Sequence, residues 1–186
     1  MHPPLTDTTT SVVQTLVLYS LAEHQLGHAK SVRVTASECA FSVEDDGRGH
    51  AIGRSVEGAP YLDFIYCHLE FPYKERVAKP IQLHGLGMSL VNRLCSELTV
   101  SVRKTEATLT LRFQNGRLVS EELVKATNRV TGNTVAGTVH PNLGLELVDE
   151  QALKHWLQTL LAASPSLRLF FNGRHLEPVA GEQPGG

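Results

Sequence analysis

Apolar positions along this chain recur at two periods, and the switches between the periods mark its elements. Val12, Val13, Leu16, Val17 and Leu21 recur at helical spacing, with Thr9 or Thr10 as the N-cap and Gly27 as the stop. "SVRVTAS" and "CAFSVED" then alternate with period two across a short turn, which predicts a β-hairpin. The short apolar run "APYLDFIYCHLEF" is expected to be helical, and the polar stretch with Pro72 and Pro80 after it to be a mobile loop. In "GLGMSLVNRLCSEL", Met88, Leu90, Val91, Leu94 and Leu98 share one helical face. "LTVSVRK", "ATLTLRFQNG" and "RLVSEEL" alternate strongly, predicting antiparallel strands with a hairpin turn at Asn115-Gly116, and "NTVAGTVH" adds another strand. "VDEQALKHWLQTLLAAS" is an amphipathic helix with Asp149 and Glu150 near its start, and "LRLFFNGRHLEP" closes as strand, Asn172-Gly173 turn and strand. The expected fold class is α+β: a two-layer sandwich of a mixed, largely antiparallel sheet with helices on one face. One domain over residues 11–178 is expected, between a flexible tail at 1–10 and a disordered tail at 179–186.

Composition narrows the functional classes. With 186 residues, 41% of them hydrophobic and 19% charged, the chain can bury an ordinary globular core. A net charge of −2 offers no basic stripe for a polyanion, so direct DNA binding is not expected. Cys39, Cys67 and Cys95 are odd in number and widely spaced, which suits neither a disulfide framework nor a zinc site. His24 and His28 have an i, i+4 spacing without a third ligand nearby, and no metal is expected. The polar opening Met1–Thr10 and the shortness of every apolar run predict a soluble, cytoplasmic protein without leader or membrane span.

Two glycine-bearing stretches carry the candidate chemistry. "VEDDGRGHAIG", Val43 to Gly53, puts Asp45 and Asp46 at a strand end, before Gly47 and Gly49 bracketing Arg48. The glycines permit positive φ and a close approach of a ligand ring, and a carboxylate there can accept from an exocyclic amine. Taken alone the stretch reads equally well as a surface turn. About forty residues on, "LHGLGMSLVNRL" places Gly85 and Gly87 directly before a helix, where backbone N–H groups and the helix dipole suit a phosphate. The pair, in this order, points to a nucleotide pocket.

On these residues the chain resembles the ATPase domain of DNA gyrase B and its topoisomerase IV relatives, the Bergerat-fold (GHKL) superfamily. "DDGRGHAIG" is similar to the family's D-N-G-R-G-I-P-V-G box, and "QLHGLGMSLVNRLCSELTVSVRK" to its lid and following strand. "QLGHAKSVRVT", "TGNTV" and "DEQALKHWLQTLLAASPSLRLFFNGR" extend the similarity from Val12 to Arg174. The resemblance implies ATP or ADP as ligand. Asp45 would accept from the adenine amine, Gly47 and Gly49 would let the base approach, and Arg48 would stand on the rim. Leu83, His84, Gly85, Leu86, Gly87 and Met88 would form a lid holding the phosphates, with Lys104 at the pocket mouth. Thr131 to Val135 would line the adenine side, Asn133 replacing the family's threonine. Asp46 stands where the family has asparagine, adding charge near the polyphosphate path, and His50-Ala51 replaces Ile-Pro.

The departures bear on activity. The family's first helix carries a glutamate general base and, four residues on, an asparagine that binds magnesium. Aligned through Leu26-Gly27-His28, these positions hold Thr15 and Tyr19, which supply neither group, so no catalytic residue and no Mg2+ are expected. The family's N-terminal arm is expected to have no counterpart before Ser11, and its second domain, whose lysine senses the terminal phosphate, is expected to be missing after Gly186. Three readings follow: a pseudo-ATPase binding adenine nucleotide weakly and acting through an unknown protein partner, a structural or interaction domain with a relic pocket, or an ATPase component completed by another chain.

Overall fold

The computed structural model describes residues 8–56, 58–67 and 87–179. The expectations placed on residues 1–7, on the stretch between Pro72 and Pro80, on lid residues 83–86 and on residues 180–186 lie outside the described residues.

Helix α1 spans Thr9–Gln25, and its cap is Thr8, whose side chain accepts from Ser11 N. The expected cap was Thr9 or Thr10. Thr9 is instead buried in the first turn, its N–H donating to Glu146 O at 3.0 Å, which ties the helix start to a distant loop. Gly27, at φ 81, turns the chain out of the helix as expected. β1 (Ser31–Ser37) and β2 (Ala40–Asp45) form the expected hairpin. The next apolar run begins as a two-residue ladder, β3 (Ser55–Val56) with β4 (Ala59–Pro60), before α2 (Tyr61–Cys67) starts. α3 (Met88–Leu94) is shorter than its apolar spacing predicts: Cys95 is already extended, and Leu98 lies on β5 (Cys95–Arg103). The β-branched run Thr99, Val100, Val102 favours the pleated form there. β6 (Ala107–Gln114), β7 (Arg117–Lys125), β8 (Gly132–Val139), a 3-10 turn (Pro141–Leu143), α4 (Glu150–Ala163), β9 (Arg168–Phe171) and β10 (Arg174–His175) complete the chain. Both predicted Asn-Gly turns are present, with Asn115 and Asn172 at positive φ.

The strands make one eight-stranded sheet in the order β10-β9-β1-β2-β8-β5-β6-β7. Every pair is antiparallel except β1 with β9, whose parallel pairing follows from the crossover through α4. The architecture is the expected α+β sandwich. Phe171, Val34, Val43, Val135, Val100 and Leu111 stand opposite one another in successive strands, all buried under the helical layer. Val12, Val13, Leu16 and Val17 of α1 complete that core from above. In the next row Leu169 and Val32 lead to Asp45, while Val102 and Leu109 approach from the other side through Asn133. Two polar residues thus occupy core-facing positions, where the β2–β8 ladder ends at Glu44 and Thr134.

Candidate functional site

Strand alternation turns Asp45 inward, and it is only 5% exposed. A lone carboxylate in such a position is costly, and local donors offset the cost. Oδ1 accepts from Gly47 N at 2.9 Å and Asn133 N at 3.4 Å, and Oδ2 accepts from Ser20 Oγ of α1 at 3.2 Å. Burial nevertheless pushes its pKa up, against the pull of those three bonds.

The glycine turn after Asp45 is held from several elements. A Cβ on Gly47 would lie 3.0 Å from Asp45 Oδ1 and 3.1 Å from Glu23 Oε2, so glycine lets the backbone pass between two carboxylates. Arg48 folds back onto α1, its Nη2 donating to Glu23 Oε1 at 2.7 Å and its Nε to Oε2 at 3.2 Å. That bond holds the Glu23 carboxyl below its usual range. Lys104 Nζ donates to the carbonyls of Arg48 and Gly49, both at 2.9 Å, and Thr131 Oγ1 donates to Gly47 O at 2.6 Å. Arg103 reaches Asp45 O at 3.0 Å and Thr134 Oγ1 at 2.6 Å. Gly132, at φ 134, passes so close that a Cβ there would lie 2.0 Å from Asp45 O.

Asp46 does different work. Its Oδ1 accepts from Lys30 N at 2.6 Å and Ser31 N at 2.8 Å, and its Oδ2 from Ser31 Oγ at 2.9 Å. Its charge, expected beside a polyphosphate, is engaged at the start of β1. Asn133, expected to touch a ligand, accepts at Oδ1 from His50 N at 2.9 Å, which pins the end of the glycine turn. His50 Nε2 in turn lies 3.1 Å from the hydroxyl of Tyr66, with the two rings edge to face. Burial, followed by the nearby Lys104 charge, depresses the His50 pKa to about 4, so the ring is neutral at physiological pH. Tyr66 is fully buried, and its carbonyl accepts from Asn92 Nδ2 of α3 at 2.9 Å. Val135 sits in the buried apolar row, Gly87 is the N-cap of α3, and Met88 is buried beneath it. The remaining lid positions, Leu83, His84, Gly85 and Leu86, lie outside the described residues.

On α1, Thr15, Tyr19 and Glu23 follow one another at i, i+4 along one side. Thr15 is buried and its hydroxyl donates to Ser11 O at 2.9 Å, while Tyr19 packs half-buried against the core. Ser20 and Tyr66 were absent from the residues expected from sequence. Their only local sign is a polar group inside an apolar run.

No family model matches the chain. Among curated proteins it is 34% identical over 139 residues to the B-type subunit of DNA topoisomerase 4 of Escherichia coli, a stretch covering 70% of this chain and 22% of that protein. It is 29% identical over 167 residues to DNA gyrase B of Streptococcus pyogenes, covering 85% of this chain and 25% of that one. The chain is a homologue of the topoisomerase IV and gyrase B subunits. This gyrase-B-like domain thus spans about a quarter of the length of these relatives. A solved structure of the topoisomerase IV ATP-binding domain of Francisella tularensis, in complex with a small-molecule inhibitor, superposes with a TM-score of 0.74 at 17% identity. The match covers 95% of this chain and 88% of that one, and assigns the gyrase-B-like domain its GHKL fold.

Proposed function

We propose that this gyrase-B-like domain binds an adenine nucleotide without magnesium and does not hydrolyse it, acting as a pseudo-ATPase through a protein partner. The observation carrying this reading is Asp45, a buried carboxylate on the core face of the sheet, kept in place by Gly47, Asn133 and Ser20. Burial raises the pKa of this carboxyl, and buried acids with perturbed pKa values concentrate at functional sites. Its Oδ2 takes one hydrogen bond from Ser20, and a carboxylate oxygen can accept a second, as an exocyclic amine would require.

The side chains of α1 account for the loss of turnover. The Thr15 hydroxyl, where the family has its base, is committed to the Ser11 carbonyl and cannot take a proton from water near neutral pH. Glu23, a turn beyond Tyr19, is a poor substitute, because the Arg48 guanidinium holds its carboxyl below the usual range and weakens it as a base. A relic pocket in a purely interacting domain is the competing reading. It draws on the same bonds, since Asp45 already has three internal donors.

Calorimetric titration with ATP and ADP, with and without magnesium, separates the two. Saturable binding that ignores magnesium and falls at least tenfold in Asp45→Ala is the expected result, with phosphate release no faster than the blank. Absence of heat at millimolar nucleotide establishes the relic reading. Steady turnover abolished by Glu23→Gln would restore an enzyme.

A further inference from the structure

We propose that β7 is a self-recognition edge: a second copy of this chain pairs antiparallel with it through residues 120–125, about a two-fold axis at Leu123, joining the two sheets into one. This inference goes beyond the nucleotide reading and needs no ligand.

The two ends of the eight-stranded sheet are unlike. At one end β10 has two residues, too short to template another strand. At the other, β7 runs for nine residues, and among the described residues β6 is its only strand neighbour. Leu123 is 60% exposed on it and Val124 49%. A long edge that holds apolar side chains in water is a surface for strand addition. Leu123 also ends a buried row, because it stands opposite Leu109, in the row that carries Asp45.

The backbone fixes which residues can pair outward. Ala126 N donates to Glu106 O at 3.0 Å, so Ala126 turns its amide toward β6, and by alternation Val124 and Glu122 do the same. Glu121, Leu123 and Lys125 therefore turn their N–H and C=O groups to the open side. The β6–β7 register shifts between Arg112 and Phe113, which leaves Val119 without an opposite residue. The regular stretch of the edge is thus 120–125.

Within that stretch the charges choose the register. A two-fold axis at Glu121 or Glu122 would set that glutamate against its own copy, which is unfavourable. With the axis at Leu123, Leu123 meets its own copy, and each Glu121 meets a Lys125. Both charged residues are exposed. All three outward residues then face outward residues, so each pair exchanges backbone hydrogen bonds in both directions. On the other face Val124 meets Glu122, whose carboxylate stays 3.9 Å from Arg112 of its own chain. The contact is isologous and closes as a dimer. One edge ladder covers less surface than the roughly 1,600 Å² of a stable complex, so the dimer is weak and its population follows concentration.

Sedimentation velocity of the full chain without nucleotide, from about 10 μM to about 1 mM, tests this. Wild type should move from monomer toward dimer as concentration rises, and less so at high salt. Glu121→Lys sets lysine against lysine, and Lys125→Glu sets glutamate against glutamate. Each should weaken the dimer roughly tenfold, with thermal melts of the monomer unchanged. The double variant Glu121→Lys with Lys125→Glu restores both pairs and should recover wild-type association. A chain that stays monomeric throughout overturns the proposal and leaves β7 open to a strand from another protein. A dimer indifferent to either single reversal, or a double variant no better than the singles, overturns it by placing the contact elsewhere.

Discussion

Asp45 and His50 show how single residues are tuned by what surrounds them. Asp45 and Asn133 are the polar members of a row otherwise made of Leu169, Val32, Val102 and Leu109, and burial raises the Asp45 pKa despite three accepted hydrogen bonds. Because the ionised form is the acceptor, nucleotide affinity should begin to fall on acidification at a pH above the ordinary aspartate range. Calorimetry over a pH series should find that onset, and Asp45→Asn, already un-ionisable, should show weak binding without it. The pKa of His50 is shifted the other way. Its folded pKa is about 4 against roughly 6.5 unfolded, so the unfolded chain binds more protons between those values. Stability should therefore fall as pH drops from about 6.5 to about 4, by up to about 3 kcal/mol. Denaturant melts should show the slope in wild type and a shallower one in His50→Leu.

At the scale of elements, the site is a glycine turn clamped between α1, β5 and β8. Gly132 and Gly53 both have positive φ, but their surroundings differ. A Cβ at Gly53 meets nothing within 4 Å, whereas one at Gly132 would collide with the backbone of Asp45 and Asp46. Gly53→Ala should thus lose only about 1 kcal/mol from backbone strain. Gly132→Ala should lose more than about 3 kcal/mol, because it must push β2 and β8 apart. Chemical denaturation of the pair gives the comparison. Element types were legible from periodicity along most of the chain, and both Asn-Gly hairpins were predicted. Boundaries were less so. Leu98 continues the apolar spacing of α3 yet lies on β5, because Leu90, Val91 and Leu94 fit a helix while the chain beyond Cys95 gains more by pairing with β6 and β8.

For the whole molecule, the fold places the start of α1 against the loop near Glu146 and its end against the glycine turn, so one helix spans from a distant loop to the site. A ligand bound at that turn joins elements distant in sequence and should raise the melting temperature by an amount that grows with the logarithm of its concentration over Kd. Thermal shift with ADP should rise with concentration by the same amount with magnesium or with chelator, and should vanish in Asp45→Ala. A shift that requires magnesium would contradict the proposed loss of the metal site.

The sequence by itself determined the periodicities, the turn chemistry and the order of the glycine elements, because each depends on residues within a few positions of one another. Through the family resemblance it also set the expectation that Thr15 and Tyr19 stand where a base and a metal ligand would be needed. Only the tertiary structure decided how those residues are used. Ser20 meets Asp45 across 25 positions and His50 meets Asn133 across 83, contacts that no local pattern encodes. The commitment of Asp46 to β1 and of Asn133 to the glycine turn likewise depended on where the strands end. A carboxylate or amide takes whichever donors the packed chain brings within 3 Å, and packing, unlike period, is a property of the whole fold.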